Sequence, residues 1–181
     1  MTKLVVIDAG HGGKDPGAVG NNLKEKDLTL TIAGLACDIL EKAYGINTLQ
    51  TRPKDQFVSL SSRTNVANAA HAHCLVSIHI NAASPSANGF ESFVYTTDDE
   101  TTKSHSLQKD IHAPLAKHFD RDRGRKKANF HMVREYKGAA VLIELGFITN
   151  PLDASKLSNG SFLFKLAESL AGGIAKYLDV T

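Results

Sequence analysis

The stretch Val5-Val6-Ile7-Asp8-Ala9-Gly10-His11-Gly12-Gly13 constrains the fold more than any other. A continuous apolar run, typical of strands buried on both faces of a sheet, stops at a histidine held between glycines. Those glycines permit a sharp turn and a close approach to the imidazole. A neutral imidazole at the mouth of a strand is a common metal ligand. A satisfied loop histidine is the competing reading, and other ligands elsewhere in the chain would decide between them.

The chain of 181 residues suits one domain, residues 1–181, able to bury a full core without staples. Apolar residues at 42% and charged residues at 22% describe an ordinary soluble globule. A formal net charge of +2 does not call for nucleic acid and is compatible with an anionic polymer as partner. Cys37 and Cys74 lie apart in apolar runs, which predicts two buried free thiols and no thiolate zinc site. The N-terminus enters a strand almost at once, with no visible signal peptide, and no apolar stretch approaches the roughly 20 residues of a membrane span. These features predict a monomer with no membrane insertion, released on lysis or trimmed from a secreted protein.

In chain order, Lys3–Ile7 reads as the first strand and a glycine-rich loop follows. A helix over about 26–43 places Leu28, Ile32, Leu35 and Ile39 on one face, with Glu25 at its start and Gly45 at its end. Ile46–Thr51 is a second strand. Ser59 is positioned to cap a helix running to about Ala70. Cys74–Ile80 is a third strand, and Gly89–Tyr95 alternates like a half-buried edge strand. A helix over about 104–119 contains Pro114. The charged 120–129 segment reads as a loop, and Phe130–Val133 as a short strand. Ala139–Leu145 is a buried strand, Asn150-Pro151 opens a helix, and a final helix covers about 161–178. Strands alternating with helices predict an α/β domain with a mostly parallel sheet and ligands at the carboxyl ends of its strands.

That rule selects His11 after the first strand, His79 at the end of the third, and Glu144 at the end of the last. Catalytic zinc takes three ligands from His and Asp/Glu and leaves one position open. His11, Glu25 and His79 meet that requirement, with Glu25 brought in because its helix starts at the same edge. Singly, Glu25 also reads as a carboxylate complementing the helix dipole, and His79 as a core histidine. Glu144 is harder to explain structurally, because a carboxylate inside Val141-Leu142-Ile143-Glu144 needs a partner or a function, and general acid–base catalysis is one. His71 and His73 fall on the opposite edge, and His105, His112 and His118 are expected to face solvent.

At this point the motifs match a family. Asp8-Ala9-Gly10-His11-Gly12-Gly13, Asp15-x-Gly17-Ala18, Glu25-Lys26, Ser77-Ile78-His79-Ile80-Asn81-Ala82, the Arg121–Glu135 stretch and Glu144-Leu145-Gly146-Phe147 resemble the zinc-dependent N-acetylmuramoyl-L-alanine amidases of the Amidase_3 type. The resemblance spans essentially the whole chain. It implies one Zn2+ per chain on His11, Glu25 and His79, with Glu144 as the catalytic glutamate. It implies peptidoglycan as substrate, cut between muramic acid and the first L-alanine of the stem peptide. The implied fold is a single α/β domain with a twisted, mostly parallel six-stranded sheet flanked by helices, one strand more than the five that the pattern gives plainly.

Asn81, Arg63, His131 and Arg134 are candidate substrate-binding residues, the arginines by bidentate pairing with stem-peptide carboxylates. The basic run Arg121–Lys127 is a further candidate, with a solvated loop as its plainer reading. The glycines around His11 are expected to keep the sheet's edge open for a glycan strand. Competing functions are a non-catalytic wall-binding relative of the same fold and a zinc amidohydrolase with another substrate. A dinucleotide site is excluded, because Gly10-x-Gly12 lacks the third glycine of its fingerprint at position 15.

Overall fold

The computed structural model describes residues 3–180. In chain order the elements are β1 (Leu4–Ala9), β2 (Val19–Gly20), β3 (Leu23–Lys24), α1 (Glu25–Tyr44), β4 (Asn47–Gln50), α2 (Leu60–Ala69) and β5 (Cys74–Asn81). They continue with β6 (Phe90–Val94), α3 (Lys103–Ala116), β7 (Asp122–Lys127), α4 (His131–Glu135), β8 (Ala139–Phe147), α5 (Pro151–Leu157) and α6 (Gly160–Tyr177). Six strands form one sheet in the order β4-β1-β5-β8-β6-β7, while β2 and β3 make a small separate hairpin. β4, β1, β5 and β8 run parallel; β6 is antiparallel to β8, and β7 runs parallel to β6. Among the described residues no helix is long and apolar enough to cross a membrane.

The two faces of the sheet are covered unequally. Alternate residues of the strands, such as Val5, Ile7, Val76, Ile78, Val141 and Ile143, join a large core with the long helices α1, α3 and α6. The residues between them, Val6, Leu75, Ala140 and Leu142, join a much smaller core with Ala67 of α2 and Met132 and Val133 of α4. Those two helices have ten and five residues. Continuing the alternation, Asp8, Ser77, His79, Glu144 and Glu91 share this thinly covered face. The active edge therefore opens onto a face of the sheet as well as its tip.

Several local expectations hold. Gly45 ends α1 in the left-handed region at φ 62°. The Ser59 side chain caps α2, and Asn150 caps α5 with Pro151 in its first turn. Cys37 and Cys74 are buried free thiols.

Other expectations are corrected. Gly89–Tyr95 is no edge strand: β6 lies inside the sheet, because the supposed loop at 120–129 contains β7 on its outer side. The alternation of β7 is hidden by a bulge. Two steps along β6, from Phe90 to Ser92, match three along β7, from Asp122 to Arg125. Gly124 takes up the extra residue at φ 89°. Phe130–Val133 is mostly the start of helix α4 rather than a strand, with Met132 and Val133 turned into the small core. His112 does not face solvent. It is buried between Ser92 Oγ at 2.8 Å and Asp122 Oδ1 at 2.9 Å.

Candidate metal centre and active site

The site begins with a backbone bend. After β1 the chain turns at His11, which takes φ 61°, costly for a residue with a side chain. Arg52, fully buried, donates to the carbonyls of Ala9 and Gly10, each at 2.9 Å. Arg63 donates to the carbonyls of Ala9 and His11 at 2.5 and 2.6 Å, and to Asp8 Oδ1 at 2.9 Å. Asp8 also accepts from Thr51 Oγ1 at 2.5 Å and Ser77 Oγ at 2.6 Å. Arg63 borders the cleft beside the site but is buried, with its donors engaged by the protein's own acceptors, where the sequence predicts an arginine held out to a substrate carboxylate.

His11, Glu25 and His79 converge. One donor atom from each lies within 4.8 Å of the others, close enough for all three to hold one metal ion. Glu25, buried in the first turn of α1, reaches both histidines: Oε1 is 2.8 Å from His79 Nδ1 and Oε2 is 3.1 Å from His11 Nε2. Ile80 N–H and Ala18 N–H donate to the same carboxylate at 3.0 and 2.8 Å. Burial pushes the Glu25 carboxyl up, but the hydrogen bonds from His11 and His79 prevail and hold it well below the usual carboxylate range. His11 is correspondingly raised to about 9, chiefly by its bond to Glu25 against the opposing effect of burial.

Asp15, part of the Asp15-x-Gly17-Ala18 motif but given no role from sequence, sits 2.8 Å from His11 Nδ1 and accepts from Gly17 N–H at 3.0 Å. A carboxylate on the far nitrogen of a histidine is the usual support of a metal-ligating imidazole. Its spacing, four residues after His11 and two before Gly17, was the available signal. The donor set of two imidazoles and one carboxylate fits zinc. A metal on His11 would take the place of a proton on its Nε2.

The glycines serve the protein's own side chains. A Cβ on Gly10 would stand 2.5 Å from the His79 ring, and one on Gly17 would stand 2.6 Å from Glu25 Oε2 and from the His11 ring. At the glycines flanking His11, where room for a glycan is expected, the space at Gly10 is filled by the His79 ring and that at Gly12 and Gly13 by Arg52 and the Gln56–Phe57 backbone. Beside the ligand cluster a cleft of about 220 Å³ remains open, lined by His11, His79, Phe57, Val58 and Leu60 among others.

Glu144 lies next to His79 in the β5–β8 register. Its Oε2 is buried and has no hydrogen-bond partner among the described residues. Burial raises its carboxyl to about 7, opposed by His79 and reinforced by Glu25 and Glu91. A cation on the neighbouring ligands would favour the carboxylate. Just beyond Glu144, β8 carries its own bulge: His79 to Asn81 on β5 matches Glu144 to Phe147, with Gly146 at φ 84°.

Asn81 borders this row, and its Nδ2 donates to Glu91 Oε1 at 2.6 Å. His131 Nε2 lies 3.2 Å from Thr64 Oγ1 and ties α4 to α2. Arg134 is exposed, bound to Glu135 Oε1 at 2.6 Å and Asn129 Oδ1 at 2.7 Å.

The family model for Amidase_3, N-acetylmuramoyl-L-alanine amidase, matches residues 5–176. The chain is 45% identical over 178 residues to a sporulation-specific N-acetylmuramoyl-L-alanine amidase of Bacillus subtilis, covering 97% of this chain and 68% of that protein. It is 41% identical over 184 residues to the endolysin of Bacillus phage SPP1, covering 99% and 68%. The catalytic domain of CwlV, an N-acetylmuramoyl-L-alanine amidase from Bacillus (Paenibacillus) polymyxa var. colistinus, superposes with a TM-score of 0.93 at 36% identity, covering 99% of this chain and all of that one. With its fold and nearly its full length matched, the chain belongs to the Amidase_3 family of N-acetylmuramoyl-L-alanine amidases.

Proposed function

We propose that this protein is a zinc-dependent peptidoglycan hydrolase. It cleaves the amide between the lactyl group of muramic acid and the first L-alanine of the stem peptide, and it acts on the cell wall. The observation that carries this reading is the pairing of a metal-competent triad with an adjacent carboxyl, one oxygen of which is buried and unpartnered among the described residues. A structural carboxylate in that position would have acquired a partner.

His11, Glu25 and His79 hold the zinc, and Asp15 fixes the orientation of His11. When bound there, zinc supplies Lewis acidity to the scissile carbonyl and lowers the pKa of water. Glu144 takes a proton from the attacking water and delivers it to the departing alanine nitrogen, as general base and then general acid. Its buried surroundings bring its pKa towards neutrality, where a carboxyl can both accept and release a proton near physiological pH.

Mass spectrometry of purified peptidoglycan digested by the protein, with and without a chelator, tests this. The expected product is a new L-alanine amino terminus, lost on chelation and restored by zinc. A new reducing sugar end would make the protein a glycosidase. Absence of any product under all metal conditions would favour a wall-binding relative.

A further inference from the structure

Beyond Glu144 on the same face, Glu91 of β6 stands in direct register with it. Glu91 is buried, and its Oε2 accepts from both Arg123 Nε, at 3.0 Å, and Lys126 Nζ. In a regular strand, residues 123 and 126 would point to opposite faces. The bulge at Gly124 brings them to the same one. One carboxylate thus faces two cations, which leaves a local excess of positive charge beside the catalytic row.

Arg123 is held rather than free. Its guanidinium lies over the Phe147 ring, 4.8 Å from the centroid, while Nε is fixed by Glu91. Phe147 reaches that position through the second bulge, which pairs it with Asn81. Neither Nη group of Arg123 has a protein acceptor among the described residues, and its side chain is 24% exposed. A stacked guanidinium with its outer edge unused is prepared for bidentate pairing with a planar anion.

We propose that Arg123 binds a carboxylate on the peptide side of the scissile amide, with Glu91 and Phe147 as its positioning residues and Lys126 adding charge. The assignment rests on the amidase reading of the same site. Charge chooses the peptide: the N-acetylated glycan is uncharged here, since the lactyl carboxyl is consumed in the amide, whereas stem peptides carry free or amidated carboxyls.

The experiment uses the full zinc-loaded chain and two synthetic glycan-linked stem peptides. They differ only in whether the residue after alanine bears a carboxylate or a carboxamide. Wild type is expected to favour the carboxylate by roughly tenfold or more in kcat/KM, mainly through KM, as charged hydrogen bonds allow. Arg123→Gln should bring that ratio close to one, and Arg123→Lys, which keeps charge but loses the fork, should fall between. An unchanged ratio in Arg123→Gln, or no preference in wild type, overturns the proposal. If neither substrate yields a new alanine amino terminus, the amidase reading fails and the subsite with it. Should Arg123→Gln not fold, inhibition of wild type by the released peptides decides: the carboxylate form should inhibit at least ~10-fold better than the amide, and equal inhibition overturns the assignment.

Discussion

Arg52, just past β4, and Arg63, on α2, donate to one acceptor, the carbonyl of Ala9. Arg52 also donates to the carbonyl of Gly10 and Arg63 to that of His11, so the backbone that presents His11 is fixed residue by residue. Asp8 pairs with one of the two guanidinium groups, that of Arg63. Replacing Arg63 with Met should leave the Asp8 carboxylate buried without its cation, held only by the Thr51 and Ser77 hydroxyls, and destabilise the fold by about 3–5 kcal/mol. Urea unfolding measures this, and Asp8→Asn in the same chain should recover part of the loss. A cost below about 1 kcal/mol would show that the clamp is dispensable.

Asp15 touches no atom of Glu25 or His79 in the contacts described, yet it orients His11. Asp15→Asn should weaken zinc binding by about 10- to 100-fold with the fold intact. Competition with a chromogenic chelator reads the affinity directly, and unchanged affinity would reduce Asp15 to a loop-forming residue.

Glu144→Gln separates chemistry from metal binding. Zinc content should stay at one per chain while turnover falls by at least ~100-fold. His79→Ala should instead lose the metal. Near-wild-type turnover in Glu144→Gln would remove Glu144 from the reaction.

Gly10→Ala probes the packing under the ligands. The added methyl would meet the His79 ring in the strand's interior, where the backbone has little room to yield. Metal content measured by atomic emission should fall well below stoichiometric, while circular dichroism stays close to wild type.

His112 gives a stability signal away from the metal centre. Burial lowers its pKa below 6.5, despite the opposing bond to Asp122. The folded chain therefore holds this proton less tightly than the unfolded chain. Its contribution to stability is complete above pH 6.5 and is lost as pH falls through that value towards the lower folded pKa. Between about pH 7.5 and about pH 5.5 thermal unfolding should show wild type losing stability relative to His112→Gln, whatever the groups common to both proteins contribute. The same change in both proteins would locate the titration elsewhere.

The parts of the fold legible in the sequence were those with local causes. β1, β5 and β8 announce themselves because strands covered on both faces carry unbroken apolar runs, with His11 just past, and His79 and Glu144 towards, their carboxyl ends. Capping by Ser59 and Asn150 is likewise local chemistry. What escaped depends on distant partners. Arg63 looks like a surface cation until the carbonyls of Ala9 and His11, over 50 positions away, are seen to need donors. His112 follows an exposed helical spacing, but Ser92 and Asp122 draw it inward. β7 reads as a charged loop because an edge strand tolerates charge and its bulge breaks the alternation that would have revealed it.

The bulges at Gly124 and Gly146 also set how this crevice can change. Each absorbs a single extra residue while its neighbour keeps step, so Arg123 and Lys126, and likewise Glu144 and Phe147, share the groove face although they are three positions apart. Deleting Gly124 would leave Arg123 and Lys126 two positions apart, still on one face of a regular strand, whereas pairing the present chain without a bulge would turn one of them to the far face. In this architecture the wall of the crevice can take up or lose one residue at a bulge while the side chains that look into it keep their places.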